Sequence, residues 1–380
     1  MLIRAKLYAV ACCFILASTL VACLWPFHSP RNDIAWLKDD CGLRFGYNGT
    51  IISDGLITPS DRPAQYGWTL EIWLQPESVW ESRTILAFYS SQRPGGFSLH
   101  QSNADLLLKA GPWNEEFSSG LKKSYADDVF RGRNLVFLTL ASGSQGTDVY
   151  VDGNLRQKAR RFRLSDSEVS GRLVVGNSPV LPDSWSGELR GLALYNRELT
   201  TEQVVRHYGT WTRMGRPYLV ENDDLAALYL FDEGFGSVIH DRAGSGVDLH
   251  IPERYMEVHH TLLRRPWDEY RPGWSYWRNV LLNIGGFVPL GFFFYAYLSL
   301  PLRFRRPTLV TIILGCMVSL TVEILQAYIP TRDSGMTDII TNTSGTALGV
   351  LLFRYTGFVF ESLERSRYAG VRYVAGLFGD

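Results

Sequence analysis

The sequence predicts a mixed fold: an antiparallel β-sandwich of the jelly-roll kind on the extracytoplasmic side, joined to an α-helical transmembrane bundle. Three observations predict it. The 380 residues carry 38 Lys and Arg against 38 Asp and Glu, yet this even balance hides two apolar ends around a polar, aromatic-rich middle. The middle alternates apolar and polar residues over short runs bounded by Gly and Asp, the pattern of half-buried strands. The C-terminal part strings together three apolar runs of roughly 20 residues, the length that crosses a hydrocarbon core.

The N-terminal residues 1–25 read MLIRAK and then LYAVACCFILASTLVACLW. A basic head before an apolar stretch marks a signal peptide or an uncleaved signal anchor, which would be the first transmembrane helix. Leu20-Val21-Ala22-Cys23 also fits the pattern that precedes a lipidated cysteine, so Cys23 is a candidate lipidation site. Residues 26–42 read as a linker. Of five cysteines, Cys12, Cys13, Cys23 and Cys316 lie in apolar runs and only Cys41 falls in the middle. The middle region therefore has no internal disulfide and must be held by a packed core.

From 43 to 252 the elements are short strands. In 68–75 (WTLEIWLQ), Trp68, Leu70, Ile72 and Leu74 share one face. Residues 134–142, 172–176, 187–195, 225–231 and 247–251 are further apolar runs. Asp152-Gly153 stands between extended runs, the chemistry of a tight hairpin turn. Thr200 opens a short helix, TTEQVVRHY, with Gln203 three residues on to close a capping box.

Residues 253–278 contain Trp267, Trp274, Tyr276 and Trp277, which favour a membrane–water interface. The apolar runs follow at 279–300, 308–328 and 336–353, within a membrane unit of 279–357, and 358–380 forms a tail. Arg4 and Lys6, then Arg303, Arg305 and Arg306, then Arg354, Arg365, Arg367 and Arg372, all fall on one side of the membrane. The excess of Lys and Arg in cytoplasmic segments makes that side the cytoplasm. Both termini are then cytoplasmic and the sandwich lies outside. Arg264, Arg265 and Arg271 fall on the other side, where a long translocated domain weakens the rule.

The succession WTLEIWLQP, DVYVDGN, LVVGN, WSGELRGLALYNRELTTEQVVRHY and LYLFDEGFGSVIHDRAGSG resembles bacterial laminin-G-like, concanavalin A-like jelly rolls over roughly 43–252. That resemblance implies a domain that binds carbohydrate or protein, or hydrolyses glycans. Retaining hydrolysis needs two carboxyl groups roughly 5–5.5 Å apart. The hydrolytic relatives supply them from a Glu-x-Asp-x-Glu strand. Here Glu71 is alone in its strand and Asp232 and Glu233 are adjacent, so catalysis by this domain is not expected. Asp232, Glu233 and Asp241 form a candidate calcium site, the one cofactor the residues suggest, with turn formation the competing reading. Trp113 and Trp185 are candidates for sugar stacking or for core packing. The balanced charge gives no reason to expect a nucleic-acid partner.

Polar residues inside hydrocarbon are costly, and the C-terminal runs contain several. Glu323 and Gln326 share a face of the second run; Asp338, Asn342, Gly345 and Gly349 form a stripe on the third; Asn283 lies on the first, ahead of Pro289. A turn with Pro330, Arg332 and Asp333 joins the second run to the third. At 1.5 Å rise per residue, Glu323 and Asn342 fall at a common depth of roughly 10 Å. Glu323 is thus expected against Asn342, with Arg332 above Asp338 as a counter-charge. Gly345 and Gly349 make a small-residue face for close helix approach. NVLLNIGGFVPLG, EILQAYIPTRDSGMTDIITNTSG and TALGV together resemble the VanZ-like membrane family over roughly 279–353. The family's name comes from an accessory protein of teicoplanin resistance, which implies a link to the bacterial envelope. Three functions remain open. The first is a binding protein of the cytoplasmic membrane that contacts envelope polysaccharide or protein and membrane lipids, with a lipid head-group site in the bundle. The second is a membrane enzyme or carrier for a lipid-linked substrate, although no nucleophile–base pair is visible. The third is a structural scaffold.

Overall fold

Alternation builds the middle of the molecule. The structure, a computed structural model, describes residues 2–38, 41–58, 67–93, 95–112, 120–180, 183–216, 224–256, 258, 262–270, 273–300, 304–329, 332 and 334–375. The chain forms two units, Ser29–His260 and a second composed of Met1–His28 with Thr261–Asp380.

In chain order the first helix is α1 (Leu2–Leu24). The strands then run β1 (Ile34–Trp36), β2 (Leu43–Phe45), β3 (Ile51–Ser53), β4 (Trp68–Pro76), β5 (Ser82–Tyr89), β6 (Gly95–Ser102), β7 (Asp105–Pro112) and β8 (Lys122–Ala126). They continue with β9 (Val136–Gly143), β10 (Gly146–Val151), β11 (Asn154–Ala159), β12 (Arg172–Val175) and β13 (Gly187–Tyr195). Helix α2 (Thr201–Met214) precedes β14 (Leu225–Tyr229), β15 (Val238–Ile239) and β16 (Leu249–His250). Last come α3 (Pro266–Glu269), α4 (Trp274–Leu298), α5 (Pro307–Gln326) and α6 (Met336–Ala375).

The strands make two antiparallel sheets. One has the order β1-β2-β13-β4-β9-β10-β11 with β14 paired to β13, and the other runs β15-β16-β3-β12-β5-β6-β7-β8. The face of β4 formed by Trp68, Leu70, Ile72 and Leu74 is buried between the sheets, with Phe88, Phe97, Leu99, Leu138, Leu192 and Trp185. Full burial of such side chains contributes about 1.5–3 kcal/mol each. The opposite face of β4 is covered as well. There Trp73 meets a second core of Phe137, Tyr150, Tyr195, Val204 and Trp211 beneath α2. A Cβ on Gly191 of β13 would lie 2.2 Å from the Trp211 ring, so glycine leaves room for the indole against the sheet.

The expected local signals are present. Asp152 (φ 51°) and Gly153 (φ 74°) turn β10 into β11. Thr200 and Gln203 form the capping box of α2, which continues to Met214, beyond the expected nine-residue stretch, because Trp211 anchors its last turn. The stretch read as a linker contains β1, which pairs with β2 from Ile34↔Phe45 to Trp36↔Leu43.

In the second unit, Ala5–Leu24, Tyr276–Leu298 and Pro307–Gln326 are, among the described residues, the helical segments long and apolar enough to cross a membrane. Helix α6 packs against α4 and α5, and its early turns carry Asp338, Thr341, Asn342, Thr343 and Ser344. It approaches α4 at backbone distance: Cβ atoms on Gly345 and Gly349 would meet the carbonyl oxygens of Ile284 and Val288 at 2.2 and 2.1 Å. Helix α4 starts ahead of the expected apolar run and takes in Trp274 and Trp277, both exposed. Helix α6 extends past residue 358, where a tail was expected.

Candidate functional site

A helix begins with backbone N–H groups that have no partner inside the helix. At the start of α6 those groups are met by two side chains and one backbone carbonyl from elsewhere in the bundle. The Gly335 amide donates to Glu323 Oε2 at 2.8 Å, the Met336 amide to the Arg264 carbonyl at 2.8 Å, and the Thr337 amide to Glu269 Oε2 at 3.0 Å. The Ser334 hydroxyl also hydrogen-bonds Glu323. Two carboxylates thus cap one helix, where the helix dipole favours negative charge. A Cβ on Gly335 would fall 1.4 Å from Glu269 Oε1, so a side chain there would push this carboxylate aside.

The rest of the polar set surrounds this cap. Asn283 of α4 donates to Asp338 Oδ1 at 2.7 Å. Gln326 donates to the Cys23 carbonyl at 2.8 Å, and Arg332 donates to the Trp25 carbonyl. The end of α1, the start of α4, the end of α5 and the start of α6 therefore meet at one end of the bundle. Asn342 donates to Ser319 of α5 at 2.9 Å, and Thr346 donates to the Asn342 carbonyl. Two acceptors, Gln326 Oε1 and Asn342 Oδ1, are buried without a hydrogen-bond partner among the described residues.

Several expected pairings are different. Asn342 bonds Ser319, one turn from Glu323 along α5, because Glu323 reaches instead to the first amides of α6. Asp338 is held by Asn283, while Arg332 reaches the end of α1 instead of standing over Asp338. Pro330 and Asp333 lie outside the described residues, as do Arg271, Arg303 and Trp113. Sequence reasoning missed Glu269. Its one signal was an acid in the basic, aromatic stretch RRPWDEYRPG.

In the sandwich, the suggested calcium residues are engaged by the chain itself. Asp241 accepts the amides of Leu228, Ala243 and Ser245, Asp232 pairs with Arg242 at 2.8 Å, and Glu233 accepts the His240 amide. The Asp232 hydrogen bond and charge raise the Arg242 guanidinium above its ordinary value. Among the described residues no group of three His, Cys, Asp or Glu side chains is placed to hold a metal. Asp241 is taken up by turn amides, while Glu233 Oε2 is buried without a hydrogen-bond partner among the described residues. Trp185 is a core residue, buried and bonded through Nε1 to Gln101 at 2.9 Å.

Glu71 is fully buried and accepts from Tyr195 Oη at 2.8 Å, Trp211 Nε1 at 3.0 Å and His207 Nδ1 at 2.9 Å. It ties α2 to the sheet. On the outward face of β6, His100 contacts Ser98 at 2.8 Å through Nε2 and Thr84 at 3.1 Å through Nδ1. Thr84 donates its hydrogen to Asp183 at 2.6 Å, so His100 Nδ1 must be the donor to Thr84. Burial first, then the charges of Lys109 and Lys123, lower His100 to about 3.

Comparison with known proteins gives two family matches. Residues 48–205 match the concanavalin A-like lectin/glucanases superfamily, and residues 238–360 match VanZ/LLP1. The chain joins a concanavalin A-like sandwich to a VanZ-like membrane unit. The VanZ/LLP1 match begins on β15, ends within α6 and includes every polar bundle residue described above. No curated protein matches the chain.

Three of the solved structures similar to it are the following. The binding domain of botulinum neurotoxin DC, in complex with rat synaptotagmin II, is 13% identical, with 49% of this chain and 46% of that one covered and a TM-score of 0.36. The binding domain of Paraclostridial Mosquitocidal Protein 1 is 10% identical, with 48% and 47% covered and a TM-score of 0.35. The heptameric SAP-like pentraxin of Limulus polyphemus is 14% identical, with 59% and 95% covered and a TM-score of 0.34. The chain spans 58% and 46% of the length of the first two structures it matches. At these values the likenesses say nothing about what this VanZ-like fusion binds.

Proposed function

We propose that this protein is a binding protein of the bacterial cytoplasmic membrane, with its sandwich displayed outside to engage envelope carbohydrate or protein. The observation that carries the reading is the position of the sandwich in the chain, between α1 and α4, both long and apolar enough to cross a membrane. Orientation follows from the basic residues: Lys6, Arg305, Arg306 and Arg354 fall on the side opposite the α6 cap. The termini are then cytoplasmic. The α6 cap faces outward, at the end of the bundle from which the chain leaves for the sandwich and returns.

The bundle anchors the sandwich and holds a head-group site. Glu323, Glu269 and Asp338 offer negative charge to a cationic or hydrogen-bonding head group, and Gln326 and Arg332 stand at the same end. A second reading, an enzyme or carrier for a lipid-linked substrate, draws support from the same cluster. Ionisable residues within spans are functional candidates by default.

The test is binding of isolated envelope polysaccharide to the purified full-length protein. Saturable binding that survives Glu323→Gln supports a binding sandwich on an anchor. Loss of the cellular phenotype in Glu323→Gln, with protein abundance kept, supports the second reading.

A further inference from the structure

The strands β8 and β11 are edge strands of different sheets, bridged by Gln157 to Ser124 and by Arg156 to the Asp127 carbonyl, with a cleft opening beside them. This opening is strongly basic. Residues 158–163 read KARRFR, with Ala159 and Phe162 buried in the core and Lys158, Arg160, Arg161 and Arg163 exposed. Across the gap stand Lys122 and Lys123. Together Lys122, Lys123, Ser124, Arg160 and Arg161 line a cleft of about 380 Å³, floored by Ala159 and Phe162.

Edge strands commonly carry lysines that prevent pairing with other chains. Two features go beyond that role. First, Lys109 and Lys123 are direct cross-strand partners in the β7–β8 register, and like charges placed opposite each other destabilise a sheet. Second, the cations of this region divide into two classes. Lys122 is used structurally, bonded to Glu168 at 2.8 Å and to the Arg163 carbonyl, and Lys158 lies 3.8 Å from Asp148. Lys123, Arg161 and Arg163 make no ion pair among the described residues, while Arg160 reaches the Gln145 carbonyl at 3.3 Å and its charge acts on the Glu198 carboxylate. A chain of zero formal net charge has gathered unneutralised cations around one concave site.

We propose that this cleft binds an anionic polysaccharide, one bearing carboxylate, phosphate or sulfate groups along its length. The proposal rests on the reading of the sandwich as an envelope-binding domain and names its ligand class. Guanidinium groups pair with two oxygens of a carboxylate or phosphate at once, and Arg160 and Arg161 both line the cleft. The Ser124 hydroxyl, which accepts from Gln157 at 3.1 Å, adds a group suited to sugar hydroxyls. A cleft between strand edges suits a linear chain better than a flat membrane surface. His100 beneath Lys109 and Lys123 is neutral and adds no charge to the patch.

The test uses full-length protein in neutral detergent, with polygalacturonate as the anionic probe, dextran as the neutral one, and phosphatidylglycerol vesicles as the membrane probe. Polygalacturonate is expected to bind saturably and more weakly as salt is raised. The double variant Lys123→Ala/Arg161→Ala, its thermal unfolding unchanged, is expected to lose about tenfold or more in affinity, since charge-assisted hydrogen bonds are the stronger kind. Arg206→Ala, an exposed change on α2, is expected to bind as wild type. Equal affinity of the double variant, or equal binding of dextran, would overturn the anionic cleft and leave the carbohydrate reading standing. Binding of neither glycan would overturn both. Patch-dependent binding of vesicles alone would assign the site to a membrane surface and overturn the proposal.

Discussion

Two buried carboxylates, one in each unit, are treated in opposite ways. Glu71 in the sandwich and Glu323 in the bundle are 0% and 1% exposed. Glu71 is saturated by side-chain donors from three residues, Tyr195, His207 and Trp211. Those contacts fasten α2 to β4 and β13. Glu323 receives the Gly335 amide and the Ser334 hydroxyl, and its charged neighbours, Asp338 and Glu269, are both acidic. Nearby, Gln326 Oε1 and Asn342 Oδ1 are buried without hydrogen-bond partners among the described residues. A polar group buried for structure is expected to be fully paired, since an unpaired one costs about 1–3 kcal/mol. The difference teaches where to look for function: Glu71 is spent on holding α2 to its sheet, whereas Glu323 stands among other acids at the start of α6.

This comparison can be broken in several places. The largest effect is expected from Gly345→Leu, which drives a side chain into the Ile284 carbonyl and should abolish accumulation of folded protein, read as abundance in the membrane fraction. Glu71→Ala should come next, with the sandwich losing about 3–5 kcal/mol because three buried donors lose their acceptor. Unfolding followed by tryptophan fluorescence measures it, and a loss near zero would refute the structural role of Glu71.

A smaller effect concerns pH. His100 is lowered to about 3, below the ordinary value of about 6.5. Stability linked to it is therefore complete above about 6.5 and is lost as pH falls toward 3, because the unfolded state takes up the proton first. His100→Gln should flatten the loss of sandwich stability over that window, measured as unfolding midpoint against pH. Last, Asp232→Ala should change unfolding by about 0.5 kcal/mol or less, since its pair with Arg242 is exposed. Added calcium should not restore it.

Much of the fold could be read from sequence where the signal is local. The alternation of β4, the Asp152-Gly153 turn and the Thr200–Gln203 box need only neighbours a few residues away. The stripe Asp338, Asn342, Gly345 and Gly349 likewise marks a real helix face, two of whose glycines touch α4 backbone. What escaped was relational. Helical spacing gives the depth of each residue on its own helix but not the offset between two helices, so it sets Asn342 against Glu323, whereas the partner of Asn342 is Ser319. Glu269 meets α6 across 68 residues, and no spacing rule reaches that far. Strand β1, three residues long, exists only because β2 pairs with it.

The central claim, that the bundle carries the sandwich to the outer side of the membrane, is tested most directly at Cys41. This thiol is exposed and lies just before β2. In a variant whose other cysteines are replaced, intact cells treated with a membrane-impermeant maleimide should label Cys41 as fully as denatured protein does. Labelling that appears only after the cells are permeabilised would place the sandwich in the cytoplasm and contradict the account.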